Sequence, residues 1–314
     1  MAVDFHGFLG HGEIVALIRS LAAGVRRRKK AYPHTLLVGR SGLGKTKLAQ
    51  ATAMEMETNL HFILGRPDVS VVTIGLAAAK WESGDVFFLD EAHSLTRAVQ
   101  EACYRIMTES TAPRVIEFNN RRIVDGEVKI PPITIIAATN LPGKLLPAFR
   151  ARFQETHILS RYDLDDIVNI TRRVAAERKI GITPQAARAV AERCQGVPRH
   201  AVHFVEGIAN YCGTVAGAAA LSVADVMQYF EAEGIDSFGR SPTQQRYMEL
   251  LGDGNPKSLE TLSSILGPDC EYVKETIEEW LIAKGWVTIG QSGRRLTANG
   301  LGIAHGTMYA GVTI

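Results

Sequence analysis

The stretch Gly39-Arg40-Ser41-Gly42-Leu43-Gly44-Lys45-Thr46 decides the fold. It satisfies the phosphate-loop pattern G-x-x-x-x-G-K-[ST], and it stands between the short apolar run Thr35–Val38 and a predicted helix from Lys45 to Met56. Glycines let the backbone N–H groups of such a loop close on phosphate oxygens, and the following helix directs its positive end at them. In this pattern the lysine neutralises the β- and γ-phosphates and the hydroxyl of Thr46 coordinates Mg²⁺. The octet therefore predicts a site for ATP and Mg²⁺.

Two carboxylates end a second apolar run, Val86-Phe87-Phe88-Leu89-Asp90-Glu91. Four apolar residues followed by two acids predict a buried strand that delivers carboxylates to its C-terminal edge. We expect Asp90 to belong to the Mg²⁺ shell and Glu91 to orient and activate the attacking water. Together with the loop at Gly39, the acids predict nucleotide hydrolysis.

Three further polar positions fit the same chemistry, each less specifically. Asn140 follows the predicted strand Ile133–Thr139 between loop and acids, where an amide reads the γ-phosphate or holds the water, although Asn before Leu-Pro is also a turn signal. Arg150 and Arg152 lie in Phe149–Phe153, on a segment that leaves the sheet. Arg199 begins a predicted helix, where the helix dipole disfavours a cation, so it requires a compensating anion.

The order of predicted elements indicates three domains. Alternating strands and helices in the first part predict an α/β fold, an open and mostly parallel sheet with helices on both faces. From Asp165 onward four helices follow without a strand, and after Glu233–Asp236 come three helices and two β-prone pieces around a glycine turn, which describe a winged helix. The expected domains are residues 1–158 for the ATPase, 159–235 for a small all-helical lid and 236–314 for the winged helix.

Composition excludes several classes of protein. The chain has 314 residues, 46% of them hydrophobic and 22% charged, so it is not a disordered protein. A net charge of +2 is far from the basic excess of a protein that binds DNA by charge alone. No apolar run reaches the ~18 residues of a membrane span, and no secretion signal is apparent. We therefore expect a cytoplasmic protein without a membrane partner.

Taken together and in this order, the motifs resemble the AAA+ superfamily, and within it the RuvB family of Holliday-junction branch-migration motors. The residues that carry the resemblance are Gly7-Phe8-Leu9-Gly10, Gly42–Thr46, Asp90-Glu91-Ala92-His93, Phe149–Phe153, Tyr162–Val168, Gly196–Arg199 and Glu278–Trp286. The resemblance covers nearly the whole chain. The AAA+ motifs are shared by many machines, and their combination with a C-terminal winged helix is what points to RuvB.

The resemblance implies a role for each matching residue. Arg152 matches the arginine finger that reaches the ATP of a neighbouring subunit, with Arg150 as the second candidate, and Asn140 matches the sensor 1 position. Arg199 matches the lid arginine, and Tyr162 falls where the family packs an aromatic ring near the adenine. Because a finger supplied to a neighbour requires a ring, the resemblance implies self-association, usually as a hexamer.

The sequence also departs from the family. The loop reads Gly-Arg-Ser-Gly where Gly-Pro-Pro-Gly is typical, Lys47 stands where Thr is usual, and Asn140 replaces a Thr. The insert Arg114–Pro131, for which Asp125-Gly126 signals a turn, corresponds to a hairpin that docks on the RuvA partner through an apolar surface. Its middle is the polar run Asn119–Arg122. A RuvA-like partner is therefore possible, but the polar middle argues against it.

We expect an ATP-driven motor that works as a ring on branched or double-stranded DNA. A remodeller or loader of the AAA+ type that acts on a protein is the first alternative, and a nucleotide-gated switch that binds DNA through its winged helix is the second. The expected DNA contacts are Arg294 and Arg295, in a wing that also offers Lys284 and carries no acid from Ile282 onward. DNA-stimulated ATP hydrolysis would distinguish the motor from the switch.

Overall fold

The structure is a computed structural model that describes residues 5, 8–28, 30–119, 121–214 and 219–304. Gly7, the first residue of the family-like segment, and Asn120, in the middle of the insert, lie outside the described residues. The α-helices are α1 Gly12–Arg27, α2 Lys45–Met56, α3 Val71–Ala78, α4 Arg97–Glu109, α5 Pro147–Arg150, α6 Leu164–Glu177, α7 Pro184–Arg193, α8 Pro198–Tyr211, α9 Val223–Ala232, α10 Pro242–Leu250, α11 Leu259–Leu266, α12 Cys270–Tyr272, α13 Glu279–Ala283 and α14 Ala298–Ala304. The strands are β1 Thr35–Val38, β2 Leu60–Leu64, β3 Val86–Asp90, β4 Thr111–Phe118, β5 Arg121–Lys129, β6 Thr134–Thr139, β7 Glu155–Ile158, β8 Val287–Gly290 and β9 Gly293–Leu296.

Five strands form the parallel sheet that the sequence predicts, in the order β2-β3-β6-β1-β7. Strand β6 lies between β1 and β3, with Val38 beside Thr139 and Leu89 beside Ala137. The carboxyl ends of these three strands therefore meet at one edge. That edge brings the glycine loop, the acidic pair and Asn140 together, because each directly follows one of the three strands.

Helices cover both faces of this sheet, which explains why its central strands are apolar throughout. Alternate strand residues such as Leu36, Phe87 and Ile135 share one core cluster with α3, α4 and α5. Side chains alternate between the faces of a strand, so the intervening residues, such as Phe88, face the side that α2 covers. Every residue of β6 is buried, as expected for a strand that is covered on both faces.

The insert before β6 is a two-stranded antiparallel hairpin, but its turn is not where we expected it. Strand β4 ends at Phe118 and β5 begins at Arg121, and these two residues form the last registered pair, so the chain reverses between them. Asn119 has a φ of 49°, a left-handed conformation that Asn tolerates in tight hairpin turns. The prediction of a turn at Asp125-Gly126 was therefore wrong. These two residues form an irregularity inside β5, opposite the shift in register between Pro113 and Val115, and Arg114 pairs with the Asp125 carboxylate.

The chain divides into two compact units, Met1–Asp166 and Ile167–Ile314. The second unit contains α6 from Ile167 onward, α7 to α9 and then the winged helix, whose ribbon pairs β8 with β9. A further bridge joins Lys257 to Arg294, which extends the ribbon beyond the predicted pieces. The boundaries at residues 158 and 235 remain predictions. Across the described ranges, every helix is too short or too polar to traverse a lipid bilayer.

The long helical segment at the centre of the winged helix contains a π-helical turn, Val273–Glu278, between α12 and α13. A π turn holds one residue more than an α turn, so it shifts the face that points inward. The shift buries Ile277 and Glu278 together, and Trp280 and Leu281 follow on the buried face. A carboxylate thus enters the largely apolar core of this domain, in which Gln244 is also buried.

Candidate nucleotide site

The glycine loop has the geometry of an anion-binding loop. Gly42 and Gly44 have φ values of 85° and 95°, which L-residues rarely adopt. The buried Lys45 ammonium donates to the carbonyl oxygens of Gly39, at 2.7 Å, and of Arg40, at 3.0 Å. The Lys45 ammonium is therefore held beside the loop at the start of α2. The positive charge and the N-terminus of the helix together favour the binding of phosphate oxygens.

The remaining predicted loop residues differ in exposure. Leu43 is buried, Ser41 and Lys47 are exposed, and Arg40 is intermediate. The Leu43 side chain anchors the loop in the core, while the carbonyl oxygen of Leu43 accepts a hydrogen bond from the Tyr162 hydroxyl at 3.0 Å. The loop is thus fixed from both sides, and its ligand-facing atoms are backbone groups.

Oxygen atoms suited to a hard divalent cation lie beside the loop. The Thr46 hydroxyl donates to Asp90 Oδ2 at 2.9 Å, and Asp90 Oδ1 accepts from the Glu91 backbone N–H at 3.0 Å. Mg²⁺ is bound through one or two protein oxygens together with substrate phosphates and water. The pair Thr46 and Asp90 fits this requirement, so the donor set is compatible with the predicted metal.

The Glu91 carboxylate lies at the tip of β3 and remains accessible. The side chain is 33% exposed, and its backbone has a left-handed φ of 48°. Non-glycine residues rarely adopt this conformation, and those that do are concentrated at functional sites. His93, two residues further along, places Nδ1 3.4 Å from Glu91 Oε2 and 3.1 Å from Thr139 Oγ1. Sequence reasoning gave His93 no role, although it stands in the motif Asp90-Glu91-Ala92-His93.

Asn140 follows β6, the strand that lies between the strand before the glycine loop and the strand that carries the acidic pair. It follows Thr139, whose carbonyl oxygen accepts from the Gly39 N–H at 3.1 Å. Its Oδ1 atom is buried and makes no hydrogen bond within the described residues. A buried amide oxygen without a partner favours a ligand or water at this position.

Aromatic side chains border the loop on the side of the first helix. The Tyr162 ring lies 4.4 Å from the His11 ring, and burial, with the charge of Asp166, raises the pKa of the Tyr162 hydroxyl. A Cβ atom on Gly44 would lie 3.2 Å from the Tyr162 hydroxyl and 3.5 Å from Phe8. Gly44 thus meets a steric requirement as well as a conformational one, and the ring of Tyr162 packs directly on the loop.

The two arginines after β6 are carried by an apolar anchor. Phe149 and Phe153 pack edge to face, 5.1 Å apart, in the same core cluster as α4. The exposed Arg152 donates to the Tyr104 hydroxyl of α4 at 2.9 Å, with its Cζ 5.0 Å from the centre of that ring. Arg150 donates to the Pro142 carbonyl oxygen at 3.2 Å. Arg152 is therefore displayed on the face that α4 covers.

Two predicted positions belong to the second unit. Arg199 is the second residue of α8 and is exposed, and its part in nucleotide binding remains a prediction. Arg294, predicted to contact DNA, forms an ion pair with Glu278, which directs its charge into the domain, and its contact with DNA remains a prediction. Residues alternate along β9, and Arg294 lies on the inner side with Leu296. Arg295 is exposed and pairs across the ribbon with Thr288.

A parallel sheet with a phosphate loop on one strand, an acidic pair on the next but one and a polar tip between them defines an ATPase of the AAA+ type. Comparison with family models narrows this class. The model of the Holliday junction DNA helicase RuvB P-loop domain matches residues 2–159, and that of the RuvB C-terminal winged helix domain matches residues 237–304. The chain belongs to the RuvB family.

Individual relatives agree with this assignment. The chain is 30% identical over 297 residues to the Holliday junction branch migration complex subunit RuvB of Rhodospirillum centenum, an alignment that covers 93% of this chain and 81% of the relative. It is 28% identical to the same subunit of Lactobacillus gasseri, over 92% of this chain and 86% of the relative. The solved structure of the Thermotoga maritima RuvB Holliday junction branch migration motor superposes with a TM-score of 0.81, at 26% identity, covering 98% of each chain.

Proposed function

We propose that this protein is an ATP-driven motor that moves branched or double-stranded DNA and works as a ring. The observation that carries the proposal is the meeting of Lys45, Asp90 and Asn140 at one sheet edge, in a chain that also ends in the winged helix of its family. The ATPase part supplies the energy and the winged helix offers a surface for DNA. ATP is the nucleotide and Mg²⁺ the metal in this proposal.

The chemistry follows from the positions of the side chains. The loop amides and Lys45 would bind the phosphates, and Thr46 and Asp90 would hold Mg²⁺, which would supply charge neutralisation at the phosphates. Glu91 accepts a proton from the water that attacks the γ-phosphorus, and Asn140 orients the water or the γ-phosphate. Arg152 reaches the nucleotide of the next subunit, where its charge stabilises the transition state. This last step requires a ring, for which we propose six subunits.

The wing, rather than the long helix, is the proposed DNA contact. The exposed face of Cys270–Ala283 carries two carboxylates, Glu271 and Glu275, and one cation, Lys274. Carboxylates repel the phosphate backbone of DNA. Arg295, by contrast, stands exposed on the ribbon near the glycine turn. Lys284, also exposed, adds a second cation after α13.

The hairpin β4–β5 supports a RuvA-like partner more strongly than its sequence suggested. Opposed residues share a face, so Ile116, Phe118 and Ile123 form one apolar surface, on which Phe118 is 60% exposed. Of the described residues in the polar middle, Arg121 lies on that surface beside Phe118, and Arg122 pairs with Glu117 on the other face. We therefore propose that the hairpin docks a junction-binding protein of the RuvA type.

The proposal is tested by measuring ATP hydrolysis with and without a synthetic four-way junction at low salt. The motor requires that the junction accelerate hydrolysis and that the protein convert the junction to its branch-migrated products. Tight junction binding with unchanged hydrolysis would favour the nucleotide-gated switch. If no DNA altered the rate at any protein concentration that forms rings, a protein substrate would replace DNA. Adding a RuvA-type protein should raise the rate further, and Phe118→Asp should remove that increase while Glu117→Ala, on the other face, retains it.

A further inference from the structure

His93 connects the catalytic acid to the neighbouring strand. The residue lies in a 3₁₀ turn, Ala92–Ser94, in which the Ser94 N–H donates a hydrogen bond of 2.9 Å to the Glu91 carbonyl oxygen. Ala92 is fully buried, so the turn is fixed to the core. The imidazole is 15% exposed and cannot move far from the two oxygen atoms beside Nδ1. These are Oγ1 of Thr139 and Oε2 of Glu91.

Thr139 continues this connection to the phosphate loop. Its carbonyl oxygen accepts from the first loop glycine, Gly39, and its hydroxyl accepts from the Leu141 N–H at 2.9 Å. Asn140 lies between Thr139 and Leu141 in the chain, so the hydrogen bond from the Leu141 N–H spans it. A continuous path of contacts therefore runs from Gly39 through Thr139 and His93 to Glu91.

One ring nitrogen faces two oxygen atoms, and this restricts what His93 does. If Nδ1 carries a proton, it donates either to Glu91 or to Thr139, or divides the bond between them. If Nδ1 is bare, it accepts from the Thr139 hydroxyl and offers Glu91 nothing. The orientation of the Glu91 carboxylate thus depends on how Thr139 is hydrogen-bonded. Any ligand that shifts the end of β6, through Asn140 or Gly39, changes that arrangement.

We infer that His93 is a positioning residue that holds the Glu91 carboxylate and couples its orientation to Thr139 at the end of β6. The inference rests on the proposed role of Glu91 in activating water. A catalytic carboxylate on a flexible side chain supports a lower reaction rate when its position is not fixed. A displacement of about 1 Å can lower the rate roughly 100-fold. His93 supplies the fixed contact, and Thr139 makes that contact sensitive to the nucleotide.

The test compares steady-state hydrolysis and nucleotide affinity in three variants. His93→Ala removes the contact and should lower kcat by roughly 10- to 100-fold while the Kd of a fluorescent ATP analogue stays within about twofold. His93→Asn keeps a hydrogen-bonding atom near the position of Nδ1 and should recover most of the loss. Thr139→Val should lower kcat as well. The double variant His93→Ala/Thr139→Val should be no worse than the more impaired single one, because both act through one path.

Thr134→Val is the matched control for Thr139→Val. Thr134 is equally buried and lies at the opposite end of the same strand, and its replacement removes the hydrogen bond that its hydroxyl donates to the Tyr32 carbonyl oxygen. It should leave kcat unchanged. Glu91→Gln separates the two hypotheses: if it hydrolyses ATP normally, the proposed function of Glu91 is wrong. If Glu91→Gln is inactive but His93→Ala has normal kcat, or loses affinity and kcat together without recovery in His93→Asn, the inference on His93 alone is overturned.

Discussion

The Arg294 guanidinium donates through Nε to Glu278 Oε1 at 2.8 Å, and the Glu278 side chain is only 1% exposed. Tyr247 donates to the same oxygen at 2.9 Å. The Arg294 side chain is 13% exposed, so its charge is directed into the domain. This ion pair fixes the ribbon β8–β9 against the helix behind it and leaves Arg295 to face solvent.

We therefore expect the two adjacent arginines to behave in opposite ways when replaced. Arg294→Ala leaves a buried carboxylate without its charge partner, which costs about 3–5 kcal/mol of unfolding free energy. Arg295→Ala is an exposed change and should stay within about 0.5 kcal/mol. Urea unfolding followed by tryptophan fluorescence measures both, since Trp280 and Trp286 lie in this core. Equal stability of the two variants would show that the pair with Glu278 does not fix the ribbon.

Arg294 also shows which features of the structure could not be predicted from the sequence. The loop at Gly39, the acids at Asp90 and the strand before Asn140 follow local patterns, so both their elements and their meeting at one edge could be predicted. The buried partner of Arg294 depends on a π turn that carries Glu278 inward, and no local sequence pattern predicts that turn. The hairpin turn failed for a related reason. Asn119-Asn120 and Asp125-Gly126 are both good turn sequences, and only the register of β4 with β5 decides between them.

Replacing Glu91 and replacing Lys45 should affect different steps, hydrolysis in the first case and ATP binding in the second. Glu91→Gln keeps the shape of the side chain but removes the base, so ATP binding should persist while hydrolysis stops. Lys45→Ala removes the cation inside the loop and should weaken binding itself. A fluorescent nucleotide titration and a phosphate-release assay on both variants provide the measurement. Near-normal phosphate release by Glu91→Gln would show that another group activates the water.

Arg152→Ala should abolish turnover without preventing nucleotide binding. A finger stabilises charge that develops only in the transition state, and its loss is worth ~10³-fold or more. Arg150→Ala is the matched control, because it lies in the same segment and binds the Pro142 carbonyl oxygen instead of Tyr104. Its turnover should remain close to that of the unmodified protein. If Arg150→Ala were the inactive variant, the finger would be reassigned to Arg150.

Mixing experiments show whether the finger serves a neighbouring subunit. A ring of Arg152→Ala and Glu91→Gln subunits contains interfaces in which an intact finger faces an intact acid. Some hydrolysis should therefore return at intermediate mixing ratios. No return in rings shown to exchange subunits would place the action of Arg152 within its own subunit.

The wing prediction is tested at Arg295 rather than at Arg294, since the Arg294 side chain forms an ion pair with Glu278. A phosphate contact positions a protein on DNA without reading its sequence, so Arg295→Ala should weaken binding uniformly across sequences. The slope of log K against log salt should become shallower by about one unit. Hydrolysis without DNA should be unchanged, because the phosphate loop and the acidic pair lie in the first unit and Arg295 in the second, but its acceleration by DNA should fall. Lys274→Ala, on the acidic face of the long helix, is the control and should leave binding within about twofold. If the Lys274 variant lost affinity while the Arg295 variant did not, the long helix rather than the wing would be the DNA contact.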